Sequence, residues 1–155
     1  MSLTFHPLDR DFVRKVRTGG PDANGQPAEC AVSDGGNPCR SCLRDIPDGA
    51  PMLVLAARPF PTLQPYAETG PIFLCADDCR PWNGKGVPPI LQTSPDYLLK
   101  GYSAVYRIVY GTGGIVARED LADYAANLLS RPEVAYVDVR SARNNCFQTR
   151  ITAAR

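Results

Sequence analysis

The sequence predicts an α+β fold in which mainly antiparallel strands surround one main helix. Three observations carry this. Short apolar runs of strand length are bounded by turn residues. The 155 residues include 13 Gly and 15 Pro, enough to break the chain into many short elements. Only one stretch, about residues 119–130, repeats its apolar positions at helical spacing. At this length, with 44% hydrophobic and 21% charged residues, a single domain spanning 1–155 is expected, with a core that needs no disulfide frame.

Taken in order, residues 3–16 read as a strand followed by a short basic segment. Residues 18–38, TGGPDANGQPAECAVSDGGNP, are polar and too long for an ordinary turn, so they form a flexible or irregular loop. A CRSC knuckle at 39–42 follows. MLVLAA at 52–57 and PIFLCA at 71–76 then suit the two strands of a hairpin. Their connection, RPFPTLQPYAETG, carries three prolines, which stiffen it and hold Tyr66, Glu68 and Thr69 in place.

YSAVYRIVY at 102–110, GTGG and residues 115–117 read as a second hairpin with a glycine turn. GTGG matches neither phosphate-binding glycine spacing, GxGxxG nor GxxxxGK[ST]. In the helix, Leu121, Tyr124, Ala125, Leu128 and Leu129 share a face, Glu119 and Asp120 occupy the first turn, and Pro132 stops it. Residues 134–139 and 146–151 close the chain as two strands around RSARNN, whose Asn144 and Asn145 tolerate left-handed geometry.

The formal charge of +1 creates no field that would draw the chain to nucleic acid or to an anionic membrane. The N-terminus lacks the apolar core of a signal peptide, and no run approaches the roughly 20 apolar residues of a membrane span. A cytoplasmic location is therefore expected. There, Cys30, Cys39, Cys42, Cys75, Cys79 and Cys146 should be thiols or metal ligands.

Cys39 and Cys42 form CxxC, and Cys75 and Cys79 form CxxxC, so two pairs bracket the first hairpin. A tetrahedral zinc ion takes four soft ligands, and a knuckle that supplies two from one tight turn preorganises half of the shell. Two other readings stay open: four buried thiols that simply pack, and a redox dithiol. The dithiol motif follows a strand and opens a helix, whereas this CxxC follows a polar loop and precedes DIPDGAP.

The runs PCRSCLRDIPDG, VLAARPF, PYAETGPIFLCADDC and VAYVDVRSARNNCFQTRI resemble the bacterial family known as domain of unknown function 1203. The resemblance implies a shared fold from residue 38 onward and no particular reaction. It also implies a His at the position of Cys75, giving CxxC with HxxxC. Cys for His is a departure that a metal site tolerates and a general base does not.

A lone histidine, His6, gives His-dependent nucleophilic chemistry little to work with. What remains is a polar set: Arg58, Tyr66, Glu68 and Thr69 on the stiff loop, with Asp138, Arg140, Cys146, Gln148 and Arg150 on the terminal strands. By alternation, Cys146, Gln148 and Arg150 share one face of their strand. A thiol among guanidinium groups is reactive, and the bland counterpart is a solvated sheet face with cross-strand ion pairs. Two functions are expected on these grounds. One is a noncatalytic binding module stapled by structural zinc at Cys39, Cys42, Cys75 and Cys79, presenting the loop and Arg58, Arg140 and Arg150 to an anionic small molecule or a partner protein. The alternative is a small enzyme in which Cys146, or Glu68 with Tyr66, acts on an anionic small-molecule substrate held by arginine.

Overall fold

A computed structural model describes residues 1–154. In chain order its elements are β1 (Leu3–His6), α1 (Arg10–Arg17), β2 (Glu29–Val32), β3 (Asn37–Pro38), β4 (Asp45–Ile46), β5 (Pro51–Ala57), β6 (Gly70–Cys75), β7 (Asp96–Tyr102), β8 (Gly114–Ala117), α2 (Leu121–Leu129), β9 (Tyr136–Ser141) and β10 (Phe147–Ala153). Every strand pair is antiparallel, so the α+β class holds. The chain divides into two compact units, one built from Met1–His6 with the chain from Gly84 onward, the other from Pro7–Asn83. No helix among the described residues is long and apolar enough to cross a membrane.

The first unit is a five-stranded sheet in the order β1-β10-β9-β7-β8. Its register aligns Leu99 with Val139 and Val137 with Ile151, one apolar face. Helix α2 covers that face with Leu121, Ala125 and Leu128 buried. Gly114, opposite Leu99, marks the contact: a Cβ there would lie 2.7 Å from the Tyr124 hydroxyl of the helix. A 3-10 turn at Arg118–Asp120 leads into α2, so the helical stretch matches the sequence pattern.

The second hairpin is displaced from its expected position. Its first strand is β7, DYLLKGY, and residues 103–113 fold back as a loop. Local bonds from Ser103 N–H to the Arg107 carbonyl and from Tyr106 N–H to the Ser103 carbonyl turn the chain there, with Tyr106 at φ 64°. Thr112 of GTGG is fully buried; its hydroxyl accepts from Gly101 N–H at 2.9 Å and donates to the Val109 carbonyl. These bonds override the strand propensity of YSAVYRIVY.

On the terminal hairpin, Asn145 takes the left-handed turn at φ 57°. A bulge between Phe147 and Thr149 breaks the alternation expected from Cys146 to Arg150. Phe147 faces Arg140 and Arg150 faces Asp138, so Cys146 and Arg150 do not share a face. That sheet face is not solvated: Asp138 is fully buried and takes both arms of Arg150, at 2.7 and 3.0 Å. The Arg150 guanidinium stacks 3.8 Å from the centre of the Tyr136 ring.

The second unit holds a three-stranded sheet, β2-β5-β6, a two-stranded ribbon, β3-β4, and α1. The expected β5-β6 hairpin forms, with Met52 opposite Cys75 and Ala57 opposite Gly70. Part of the 18–38 stretch is strand, since β2 pairs with β5. The turn before it is pinned by Asp22, whose carboxylate accepts from the N–H groups of Asn24, Gln26 and Ala56. The short basic segment after β1 is an α-helix. Asp9 caps it by accepting from Phe12 N–H at 3.0 Å, Val13 and Val16 supply its buried side, and Arg14, Lys15 and Arg17 complement the C-terminal end of its dipole.

Candidate metal centre

The site begins with the ribbon. β3 and β4 deliver the chain into and out of a tight knuckle in which Cys39 N–H bonds the Arg44 carbonyl and Leu43 N–H bonds the Cys39 carbonyl, both at 3.0 Å. Leu43 makes the turn possible at φ 56°, a left-handed conformation for a branched, fully buried side chain. The knuckle lies beside β6: Cys39 bridges to Phe73, and Arg40 N–H bonds the Phe73 carbonyl at 3.1 Å. β6 ends at Cys75, and the chain returns past Cys79 so that Trp82 N–H reaches the Ser41 carbonyl at 2.9 Å.

This route brings together all four cysteines that the sequence pairs as CxxC and CxxxC. The sulfurs of Cys39, Cys42, Cys75 and Cys79 all lie within 4.8 Å of one another, with Cys39 to Cys79 at 3.8 Å. None of the six cysteines forms a disulfide. Four sulfurs so placed can hold a metal ion.

The surroundings favour the thiolate at Cys39 and Cys79. Cys39 Sγ accepts from Cys75 N–H at 3.3 Å and from Ser41 N–H at 3.4 Å. Cys79 Sγ accepts from an Arg17 guanidinium N–H at 3.0 Å. Hydrogen bonds from Cys42, Cys75 and Cys79 pull the Cys39 thiol far down in pKa, against burial, which raises it. Cys79 settles at about 6, raised by Cys39 but lowered more by Cys42 and Cys75 together. Cys42 and Cys75 are pushed up, chiefly by Cys39. Backbone and guanidinium N–H groups thus converge on Cys39 and Cys79, donors that a thiolate accepts.

Arg17 is the residue that sequence reasoning missed. It is anchored on three sides, donating to the Cys75 carbonyl at 3.1 Å, to Cys79 Sγ and to Asp78 at 3.3 Å, with its side chain 12% exposed. The available signal was the Asp9 cap followed by Val13 and Val16, which places Arg17 at the end of a helix.

The other candidates fall in both units. Arg58, Tyr66, Glu68 and Thr69 belong to the second unit, and Arg140, Cys146 and Arg150 to the first. Within the second unit, Arg58 borders a cavity of about 280 Å³ with Lys15 and Asp22, whereas Thr69 borders a separate groove with Gly70 and Pro71. The loop carries internal bonds: Tyr66 N–H donates to the side-chain Oε1 of Gln64 at 2.8 Å and Glu68 N–H to the Tyr66 carbonyl at 3.0 Å. Arg140 donates to the Asn145 carbonyl at 3.0 Å, and Arg150 is engaged by Asp138. Cys146 Sγ points to the Asn144 carbonyl at 3.7 Å.

Neither the curated proteins nor the solved structures offer a match to this chain. Residues 36–153, which include the knuckle, both cysteine pairs and the terminal hairpin, match the family described as protein of unknown function, DUF1203. The chain belongs to that family.

Proposed function

We propose that Cys39, Cys42, Cys75 and Cys79 bind a structural zinc ion, and that the chain is a zinc-stapled binding module and not a catalyst. One observation carries the reading: four mutually close sulfurs with one pair 3.8 Å apart. A zinc ion with bonds of about 2.3 Å to four sulfurs has tetrahedral edges of about 3.8 Å. Four protein ligands complete that tetrahedron and leave no open position for substrate or water, the mark of a structural site. The N–H groups of Ser41, Cys75 and Arg17 support the set from outside, as outer donors do around metal thiolates. Six reduced cysteines suit a reducing compartment, in keeping with a cytoplasmic setting.

The test is elemental analysis of purified protein together with melting curves. One zinc per chain is expected, and a strong chelator should lower the melting temperature, because metal binding contributes to folding. Cys39→Ser and Cys42→Ser should each do the same and lose the metal. Protein that refolds without taking up zinc, and melts identically with and without chelator, refutes the reading; stoichiometric iron in place of zinc corrects the metal.

A further inference from the structure

Beside the cysteine cluster runs a groove of about 650 Å³, bordered by Cys79 and lined on one side by α1 and on the other by the chain after Cys75. Arg10, Arg14 and Arg17 line it from the helix, at spacings i, i+4 and i+7 that put them on one face. Arg80 lines it from the opposite side, Asp78 is the only acid among its described lining residues, and Val13 gives it an apolar patch.

Four guanidinium groups thus meet one carboxylate. Arg17 is already committed to Cys79, the Cys75 carbonyl and Asp78. Arg14 has only a loose, exposed pair with Asp11 at 3.7 Å. Arg10 and Arg80 make no ion pair with any described residue. Like charges at i, i+4 on a helix repel, so Arg10 and Arg14 carry a cost that no acid in the groove offsets.

We propose that this groove binds a small organic phosphate monoester, with its phosphate held by Arg10, Arg14 and Arg80. A guanidinium is a rigid fork that pairs with two oxygens at once. One fork satisfies a carboxylate. Three forks arriving from two sides suit a tetrahedral group with three terminal oxygens. The volume lies within the range of small-molecule sites and exceeds what phosphate needs, leaving room for an organic part against Val13. The proposal deepens the binding-module reading by naming its ligand class. It does not depend on the identity of the metal, because none of the three arginines hydrogen-bonds a sulfur ligand, a role that falls to Arg17.

A competing account is that these arginines merely offset the net charge of a metal tetrathiolate. Calorimetric titration of metal-replete protein with inorganic phosphate and with glycerol 3-phosphate separates the two, with succinate and chloride at matched ionic strength as controls. Saturable binding of both phosphates is expected, tighter for glycerol 3-phosphate and absent for succinate. Arg10→Gln with Arg80→Gln should weaken it about tenfold or more, while metal content and the melting temperature without phosphate stay unchanged, since both side chains are exposed. Arg10→Lys with Arg80→Lys keeps the charge and loses the forks, so it should recover only part of the affinity. The proposal is overturned if phosphate binds no better than succinate, or if the Gln variants bind phosphate like wild type. It is equally overturned if those variants lose metal without any phosphate binding to lose. A chain that carries metal normally but ignores phosphate leaves the zinc reading intact, so the two failures are distinguishable.

Discussion

Leu43 is the residue at which the geometry of the knuckle can be tested without reference to any metal. Its side chain is 0% exposed and its backbone sits at φ 56°. Truncation of such a leucine to alanine costs about 2–5 kcal/mol. Alanine also retains the Cβ clash of the left-handed region, worth about 1–2 kcal/mol. Glycine relieves that clash but gives back about 0.5–1 kcal/mol through the greater freedom of its unfolded chain. L43G should therefore be more stable than L43A by about 0.5–1 kcal/mol, the reverse of the order at an ordinary position. Both should remain below wild type. Urea denaturation at constant m measures the difference, and melting should show it as roughly 1–4 °C for a chain of this size. If L43A proves the more stable of the two, the left-handed turn is not what the knuckle depends on, and the reasoning fails.

Two further outcomes are expected. His6 has its pKa lowered by burial and then by the Arg150 charge, so the folded state binds this proton less well than the unfolded chain. Its contribution to stability is whole above the ordinary value of 6.5 and is lost as pH falls below it toward the folded value. Melting curves of wild type and His6→Gln between about pH 7.5 and 5 should show a pH slope in the former that shrinks in the latter, and equal slopes would dismiss the effect. Asp138→Ala removes the buried carboxylate that takes both arms of Arg150 and should cost about 3–5 kcal/mol by chemical denaturation, whereas the double replacement Asp138→Leu with Arg150→Met should cost less than the single one. A larger loss in the double variant contradicts that account of the pair.

The parts of the fold that could be read from sequence are those where pattern and packing agree. MLVLAA and PIFLCA became β5 and β6 because continuous apolar runs have few alternatives to a buried sheet, and α2 follows a five-member apolar stripe. The four cysteines could be read as a set because hairpin pairing returns a strand's end to its start. What stayed hidden was decided by contacts. Helix α1 buries only Val13 and Val16 within RDFVRKVR, too few for a periodic signal. YSAVYRIVY favours strand on composition, yet the buried Thr112 ties the chain into a loop there. The bulge at Gln148 has no mark in the local sequence, and one inserted residue was enough to turn Cys146 away from Arg150. Arg17 could not be placed beside Cys79 without knowing that α1 exists.

The docking of the knuckle along β6 gives the sulfur cluster the character of a gauge. Cys75 is the last residue of β6, and its distance from Cys39 depends on which residue of that strand stands opposite the knuckle, here Phe73. A hairpin misaligned by one residue would turn Cys75 to the other face of the sheet. A slip by two would restore the face but carry the thiol about 6.6 Å along the strand, well beyond the edge of a metal tetrahedron. Either error leaves three ligands at most. An ion that needs four could then be retained only by chains whose hairpin has found its proper alignment, so the cluster inspects a strand pairing in which Cys75 alone of its four cysteines takes part.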